Sequence, residues 1–344
     1  PELFAAARIG LGALGVITSV TLRCVPSFTL AADERPVPVD EVLEQFDSLA
    51  AANDHFEFYW FPYGRQALVK RNNRLPTGDL DPWASRSPWA SRSPWASRSP
   101  WASRSPWASR SLRASESAGS STSPRASGSP AGLSGPAVAA MPGWRRFWEF
   151  EVMENAAFGT LCRLGRARPP LIPALNRFSS AALSSRSYAD VSHRVFVTPR
   201  RVRFVESEYA VPRESLLHVL GELRRQVPRL ADPVMFPVEV RVAAADDIWL
   251  STAYGRDTAY VAIHQYTGLP YRSYFDLFES IVADVAGRPH WGKIHTLGTG
   301  RLRALYPRYD EFRRVRAEVD PEARFGNAYL TQVLGDPRLP ADFP

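Results

Sequence analysis

Apolar and polar positions alternate with a period of two over much of this chain, and that alternation marks most of its elements. In residues 16–25, VITSVTLRCV, Val16, Thr18, Val20 and Leu22 oppose Ile17, Ser19, Thr21 and Arg23. This is the pattern of a strand rich in β-branched residues. The glycines of GLGALG at 10–15 supply a turn into it. Further strands are expected at HFEFYWFP (55–62), ALVKRNNR (67–74), HRVFV (193–197), RVRFVESEYAV (201–211), FPVEVRVAA (236–244) and TAYVAIHQY (258–266). Apolar residues at helical spacing predict helices over 39–53, 144–158, 213–227, 274–286 and 301–319. So many strands do not suit a doubly wound fold. The expected class is α+β, a large antiparallel sheet with helices on one face.

One tract breaks this pattern. The hexamer PWASRS repeats five times over 82–111, and a stretch rich in Ser, Ala, Gly and Pro follows to Pro142. Six residues are too few for a stacking repeat, whose periods run to about 20–50. A proline in every hexamer blocks both helix and ladder hydrogen bonds. The tract reads as a disordered low-complexity insert, an expanded repeat tolerated in a surface loop. The other reading is a Trp/Arg arm that binds anions or a partner.

The insert also explains the charge. The chain of 344 residues carries a formal +7, and residues 82–135 hold seven arginines against Glu116 alone. The remainder is nearly neutral, so a nucleic-acid-binding reading finds no basic face outside the insert.

Composition adds four expectations. With 45% apolar residues the chain can bury a substantial core. No run approaches the roughly 20 apolar residues of a membrane span. Cys24 and Cys162 lie far apart without CxxC spacing; the plain reading is two reduced thiols in a cytoplasmic protein, with neither a disulfide framework nor a zinc site. The chain starts at Pro1 and a strand-like run follows almost at once, which reads as a piece of a longer protein.

Candidate chemistry sits on three segments. In Phe236–Val242 the period of two puts Val238, Val240 and Val242 on one face and Glu239 beside Arg241 on the other. The plain alternative is a water-facing ion pair. In PHWGKIH (289–295), if extended, Trp291, Lys293 and His295 project to one side and His290 and Ile294 to the other. Such density of proton-transfer and cationic groups suits catalysis, whereas the lysine among them disfavours a metal. TAYVAIHQY places Thr258, Tyr260, Ala262, His264 and Tyr266 together. HFEFYWFP is aromatic on both faces and reads as buried on both or as a pocket wall, Tyr59 included. GLGALG runs into a strand and is not the Rossmann GxGxxG, and no phosphate-loop, GxSxG or HExxH motif occurs.

The segments ARIGLGALGVITSVTLRCVPSF, NDHFEFYWFP with LVKRNNR, SHRVFV, RVRFVESEYAVPRE, FPVEVRVAAADDIWLSTAYGRDTAYVAIHQY, GRPHWGKIH and VDPEARFGNAYL together resemble the aldonolactone oxidase family. That family includes D-arabinono-1,4-lactone and L-gulono-1,4-lactone oxidases and the related alditol oxidases. The resemblance implies a vanillyl-alcohol-oxidase-type flavoprotein, in which an FAD-binding domain is capped by a domain whose sheet lies over the flavin. Residues 1–25 resemble the end of a truncated FAD-binding domain, its last strand, with Gly12, Gly15 and Ile17 on the flavin side. Residues 26–344 resemble the substrate-binding cap, interrupted by the insert at 82–142. The phosphate-binding loops belong upstream.

By the same likeness Glu239, Arg241 and Lys293 line the substrate side. Lys293 would stabilise charge built on the flavin, while Glu239 and Arg241 hydrogen-bond the sugar. One of His290, His295 and His264 would take the hydroxyl proton, and Trp291 and His264 would contact substrate. The implied reaction is FAD-dependent oxidation of a sugar lactone or alditol, with oxygen or another electron acceptor and with peripheral membrane association. A non-catalytic sugar-binding module or inactive fragment is the alternative that the missing FAD half motivates. Deleting residues 82–135 is expected to leave a soluble, cooperatively folded chain; loss of soluble protein on expression of the deletion contradicts the reading of the insert.

Overall fold

The computed structural model describes residues 1–75 and 139–338, and all of these but Leu75 belong to one compact unit. The PWASRS repeats, and the disorder expected of them, lie outside the described residues. The tail of the expected insert is ordered where it is described: Ala140 bridges Ala189, and the Ala189 N–H donates to the Ala139 carbonyl at 3.1 Å.

Eight strands form one sheet. They are β1 (Thr29–Pro38), β2 (His55–Trp60), β3 (Gln66–Arg74), β4 (Arg186–Val191), β5 (Phe204–Pro212), β6 (Val238–Ala243), β7 (Thr258–Tyr266) and β8 (Arg288–Pro289). Their order is β4-β1-β3-β2-β6-β7-β5-β8, and every pairing is antiparallel. Register brings Val69, Phe58, Val240, Val261 and Tyr209 into one row across five strands, and all five are buried. Against this apolar face pack α2 (Val39–Glu44), α3 (Phe46–Ala51), α8 (Leu216–Gln226) and α9 (Arg272–Ala283). Helix α8 buries Leu216, Val219, Leu220 and Leu223, the spacing of a single helical stripe.

A second core gathers α1 (Glu2–Ala7), α10 (Thr299–Leu305), α11 (Tyr309–Val319) and α12 (Ala328–Leu334) around Trp249, Leu250 and Trp291. Ala13 is buried in it and Ile9, Leu11 and Leu14 pack on it, so residues 9–14 join the C-terminal helices.

Over the opposite face of the sheet runs a further helical layer. Here α4 (Gly143–Arg146) leads into an eleven-residue π-helix, Phe147–Ala157, then α5 (Phe158–Ala167) and α6 (Ile172–Ala181). Phe150 of the π-helix packs with Leu30, Ala32 and Tyr188, and Cys162 and Ile172 pack with Met235 and Phe236. Cys24 is exposed and Cys162 buried, and both are free thiols. No helix among the described residues is long and apolar enough to cross a membrane.

Several expectations need correction. The strand expected over 16–25 is not formed: Val16, Ile17, Val20, Leu22 and Val25 are all exposed. The alternation is intact, but a strand needs a ladder partner, and none of the described strands lies beside this segment. HRVFV is not a strand either; residues Ser192–Phe196 form helix α7, and the strand is the preceding segment, RSYADV. The helix expected over 301–319 splits into α10 and α11 around Pro307, which has no N–H to continue it. That over 39–53 splits at Gln45, where φ is −99° and ψ 7°.

Phe278, fully buried at the centre of α9, is expected to cost about 3–5 kcal/mol on truncation to alanine. Phe178→Ala, 61% exposed on α6, costs under about 0.5 kcal/mol. Urea denaturation of the two variants checks the difference; equal losses contradict the assignment of the core.

Candidate functional site

The sheet's other face is charged, and register organises the charge. Arg186 of β4 sits opposite Glu34 of β1, which sits opposite Lys70 of β3. Lys70 faces Glu57 of β2, and Glu57 faces Arg241 of β6. Charges thus alternate along a single row across five strands. Arg186 Nη2 lies 2.6 Å from Glu34 Oε2, and Lys70 Nζ lies 3.8 Å from carboxylate oxygens of both Glu34 and Glu57. Burial holds the Glu57 carboxyl above the usual range in spite of Lys70.

At the β6–β7–β5 end of this face the sequence-predicted residues meet two that sequence reasoning missed, Glu206 and Glu208. Arg241 Nη2 donates to Glu208 Oε2 at 2.7 Å, and Arg241 Nε is 3.2 Å from Glu239 Oε1. Lys293 Nζ donates to Glu206 Oε1 at 2.5 Å and to Glu208 Oε2 at 2.7 Å. Glu208 and Glu239 are 3% and 4% exposed, so the water-facing reading of the Glu239–Arg241 pair fails. A buried carboxylate persists only where cations and hydrogen bonds compensate its lost hydration.

Residues 289–295 are not extended throughout. The His290 N–H donates to the Glu208 carbonyl at 2.9 Å and the Ile294 N–H to the Glu206 carbonyl at 3.0 Å. Between them a turn, closed by the Lys293 N–H on the His290 carbonyl at 3.1 Å, bulges away from β5. This turn separates the three side chains expected together. Trp291 is buried in the second core, its Nε1–H donating to the Leu250 carbonyl at 2.8 Å. Lys293 reaches the glutamates of β5, and His295 Nε2 is 3.0 Å from the Tyr329 hydroxyl.

The histidines differ in what their ring nitrogens face. His264 Nδ1 lies 3.1 Å from the Pro237 carbonyl and Nε2 lies 3.1 Å from Glu206 Oε1. Both partners are acceptors, so both ring nitrogens are engaged within the protein and neither is open to a substrate. His290 is exposed, and its Nδ1 accepts the Gly292 N–H at 3.0 Å. The Tyr329 hydroxyl donates to the Trp291 carbonyl, so it accepts from His295 Nε2, and the lone pair on His295 Nδ1 is buried without a partner. Burial lowers the pKa of His295.

A cavity of about 590 Å³ opens beside the cluster. Tyr59, Lys70, Glu34, Glu239 and His264 come to it from the sheet, and Trp148, Met153, Phe158, Leu161 and Phe178 from the helical layer. Tyr59, expected as a pocket wall, is one. Arg200 Nη2 is 3.5 Å from its hydroxyl. At the N-terminal end, Gly12 and Gly15 take φ of 71° and 131°, and a Cβ at either would meet nothing within 4 Å. Ile17 is 68% exposed.

The signal for Glu206 and Glu208 was present in FVESEY, whose glutamates oppose Val205, Ser207 and Tyr209 just as Glu239 opposes its valines. Their partners were not, because one strand does not state which strand lies beside it.

Cholesterol oxidase structures share this fold: that of Brevibacterium sterolicum aligns with a TM-score of 0.58 at 13% identity, covering 90% of this chain and 60% of that one. The family profile of D-arabinono-1,4-lactone oxidase matches residues 20–93 and 133–333. The chain belongs to that family, and the match breaks only within the repeat-bearing tract. L-Gulono-1,4-lactone dehydrogenase of Mycobacterium tuberculosis is 38% identical over 332 residues, 96% of this chain and 64% of the relative. L-Gulonolactone oxidase of Bos taurus is 28% identical over 97% of this chain and 63% of its own length. An alditol oxidase of Streptomyces matches at 35% over 41% of the chain and 34% of its own. The chain thus spans less than two thirds of the length of these relatives.

The cluster makes stability depend on acid. Burial pushes Glu206 up, but the hydrogen bonds from His264 and Lys293 outweigh it and hold its carboxyl at about 2, against 4.5 unperturbed. A depressed carboxyl contributes stability that is present above its unfolded pKa and lost as pH falls through its folded one. Wild type is therefore expected to lose stability between pH 4.5 and about 2 that Glu206→Gln does not lose in that window. Parallel urea titrations across that range check this, and identical slopes contradict it.

Proposed function

We propose that this chain recognises an aldono-1,4-lactone and orients one of its CH–OH groups for oxidation by a bound FAD. The reading is carried by the interlocked cluster of Glu239, Arg241, Glu208, Lys293 and Glu206, set beside a cavity in a member of this family. Glu239 has one oxygen held by Arg241, and no hydrogen bond from the described residues reaches its other oxygen. It is placed to accept a hydrogen bond from a sugar hydroxyl, and Arg241, with 41% of its side chain exposed, retains donors for a lactone oxygen.

The residues at the N-terminal end fit a planar cofactor in one respect: the open backbone at Gly12 and Gly15, with Ile17 exposed beside it, permits close approach. When bound, FAD supplies the hydride acceptor. Lys293 spends two of its three N–H groups on Glu206 and Glu208 and keeps a third for an oxygen of substrate or cofactor. Three carboxylates face two fixed cations here, so Lys293 does not act as an isolated positive charge. His264 Nε2 lies 3.1 Å from Glu206 Oε1, the carboxylate oxygen that Lys293 also reaches. His264 thus serves the cluster through Glu206. We place residues 1–25 with the FAD-binding part and residues from 26 onward with the cap. The electron acceptor is oxygen or another oxidant.

In FAD-loaded protein, Lys293→Ala is expected to slow anaerobic flavin reduction by L-gulono-1,4-lactone by about 10²–10³-fold. Stopped-flow bleaching of the flavin band measures it, and an unchanged rate removes Lys293 from the site.

A further inference from the structure

The cavity is longer than the cluster needs. Glu239 and His264 line it at one end, on β6 and β7, and Glu34 and Arg186 line it at the other, on β1 and β4. Between β6, which carries Glu239, and β1, which carries Glu34, lie β2 and β3. Three interstrand steps at about 4.8 Å separate the two glutamates by roughly 14 Å. A single lactone ring fills a small part of 590 Å³, a volume in the range of drug-sized ligands.

The far end is built as a polar site. Arg186 is 8% exposed and Glu34 4% exposed. Arg186 gathers three carboxylates, from Glu34 and Glu154 at 2.6 Å and Glu149 at 3.3 Å, yet its Nε is buried with no hydrogen-bond partner. Ser179 Oγ, from the roof helix α6, is also buried and unpartnered. Unpaired polar atoms in a buried setting are costly, and the polar groups of a ligand would satisfy them.

The two walls differ in kind. The sheet contributes charged groups and the Tyr59 hydroxyl, and the helical layer contributes Trp148, Phe158 and Phe178. Charged acceptors and donors suit the hydroxyl edges of a sugar, and aromatic rings suit its C–H face.

We infer that the cavity accepts a substrate of two sugar units, with the reacting polyol or lactone at Glu239 and a second, glycosidically linked ring at Glu34 and Arg186. This rests on the functional reading above for the reacting end alone. The distal ring is a matter of binding and undergoes no chemistry.

The test uses maltitol, a glucosyl-sorbitol, against sorbitol, both free of the ring opening that complicates lactones, with affinities measured by calorimetry on the full chain. Maltitol is expected to bind at least tenfold tighter than sorbitol. Ala182→Trp, at an exposed position lining the cavity, is expected to abolish that advantage while sorbitol affinity stays within twofold. Leu183→Trp provides a second obstruction should the first fail to fold. Lys70→Met is expected to weaken maltitol binding at least fivefold. Equal affinity for the two sugars overturns the second-ring site; if sorbitol binding is still lost in Glu239→Ala, the functional reading stands without it. If both tryptophan variants keep the maltitol advantage, the distal ring is elsewhere and the inference fails. If neither sugar binds, the inference falls together with the role of Glu239.

Discussion

The row of alternating charge from Arg186 through Glu34, Lys70 and Glu57 to Arg241 is the constraint on which the rest of the structure depends. Each of these side chains leaves the sheet on the face opposite the apolar row of Val69, Phe58, Val240, Val261 and Tyr209. A slip of one residue in β2, β3 or β6 would turn a charge toward the core and a Val or Phe toward the cavity. Register, ion pairing and core burial therefore enforce the same answer. Removing one partner of such a buried pair typically costs about 3–5 kcal/mol, because the other charge is left without compensation.

The two faces divide the work. The apolar face, covered by α2, α3, α8 and α9, supplies the area removed from water that stabilises the sheet. The charged face is left partly open beneath the π-helix, α5 and α6, and there the cavity forms. The π-helix is itself a departure from ordinary geometry, and such segments recur at functional sites. It brings Glu149 and Glu154 to Arg186 and Phe150 to Tyr188, so the same turns anchor the roof and complete the charge balance of the floor.

Much of this was legible in the sequence. Period-two alternation located β2, β3, β5, β6 and β7, and it put Glu239 and Arg241 on one face and their valines on the other. The antiparallel sheet with its helices followed from the number of strands, and the family from the combined segments. What failed was whatever depends on a neighbour. Residues 16–25 carry a strand pattern but have no strand beside them. HRVFV has strand-like composition, yet the chain has already left the sheet after Val191, and a short helix results. PHWGKIH read as extended because the turn that separates Trp291, Lys293 and His295 is closed by a backbone bond within it and flanked by backbone bonds to β5, which no side-chain pattern encodes. Glu206 and Glu208 had the right alternation, but their importance lies in Lys293 and His264, distant in sequence and adjacent only once register is set.

The charges of the sheet face act as one compensated network and not as separate surface pairs. A double-mutant cycle on Glu34→Gln and Arg186→Met, read by urea denaturation, measures that coupling. The double variant is expected to be less destabilised than the two singles together by more than about 1 kcal/mol, since each single strands a buried partner. Additivity within about 0.5 kcal/mol would contradict it.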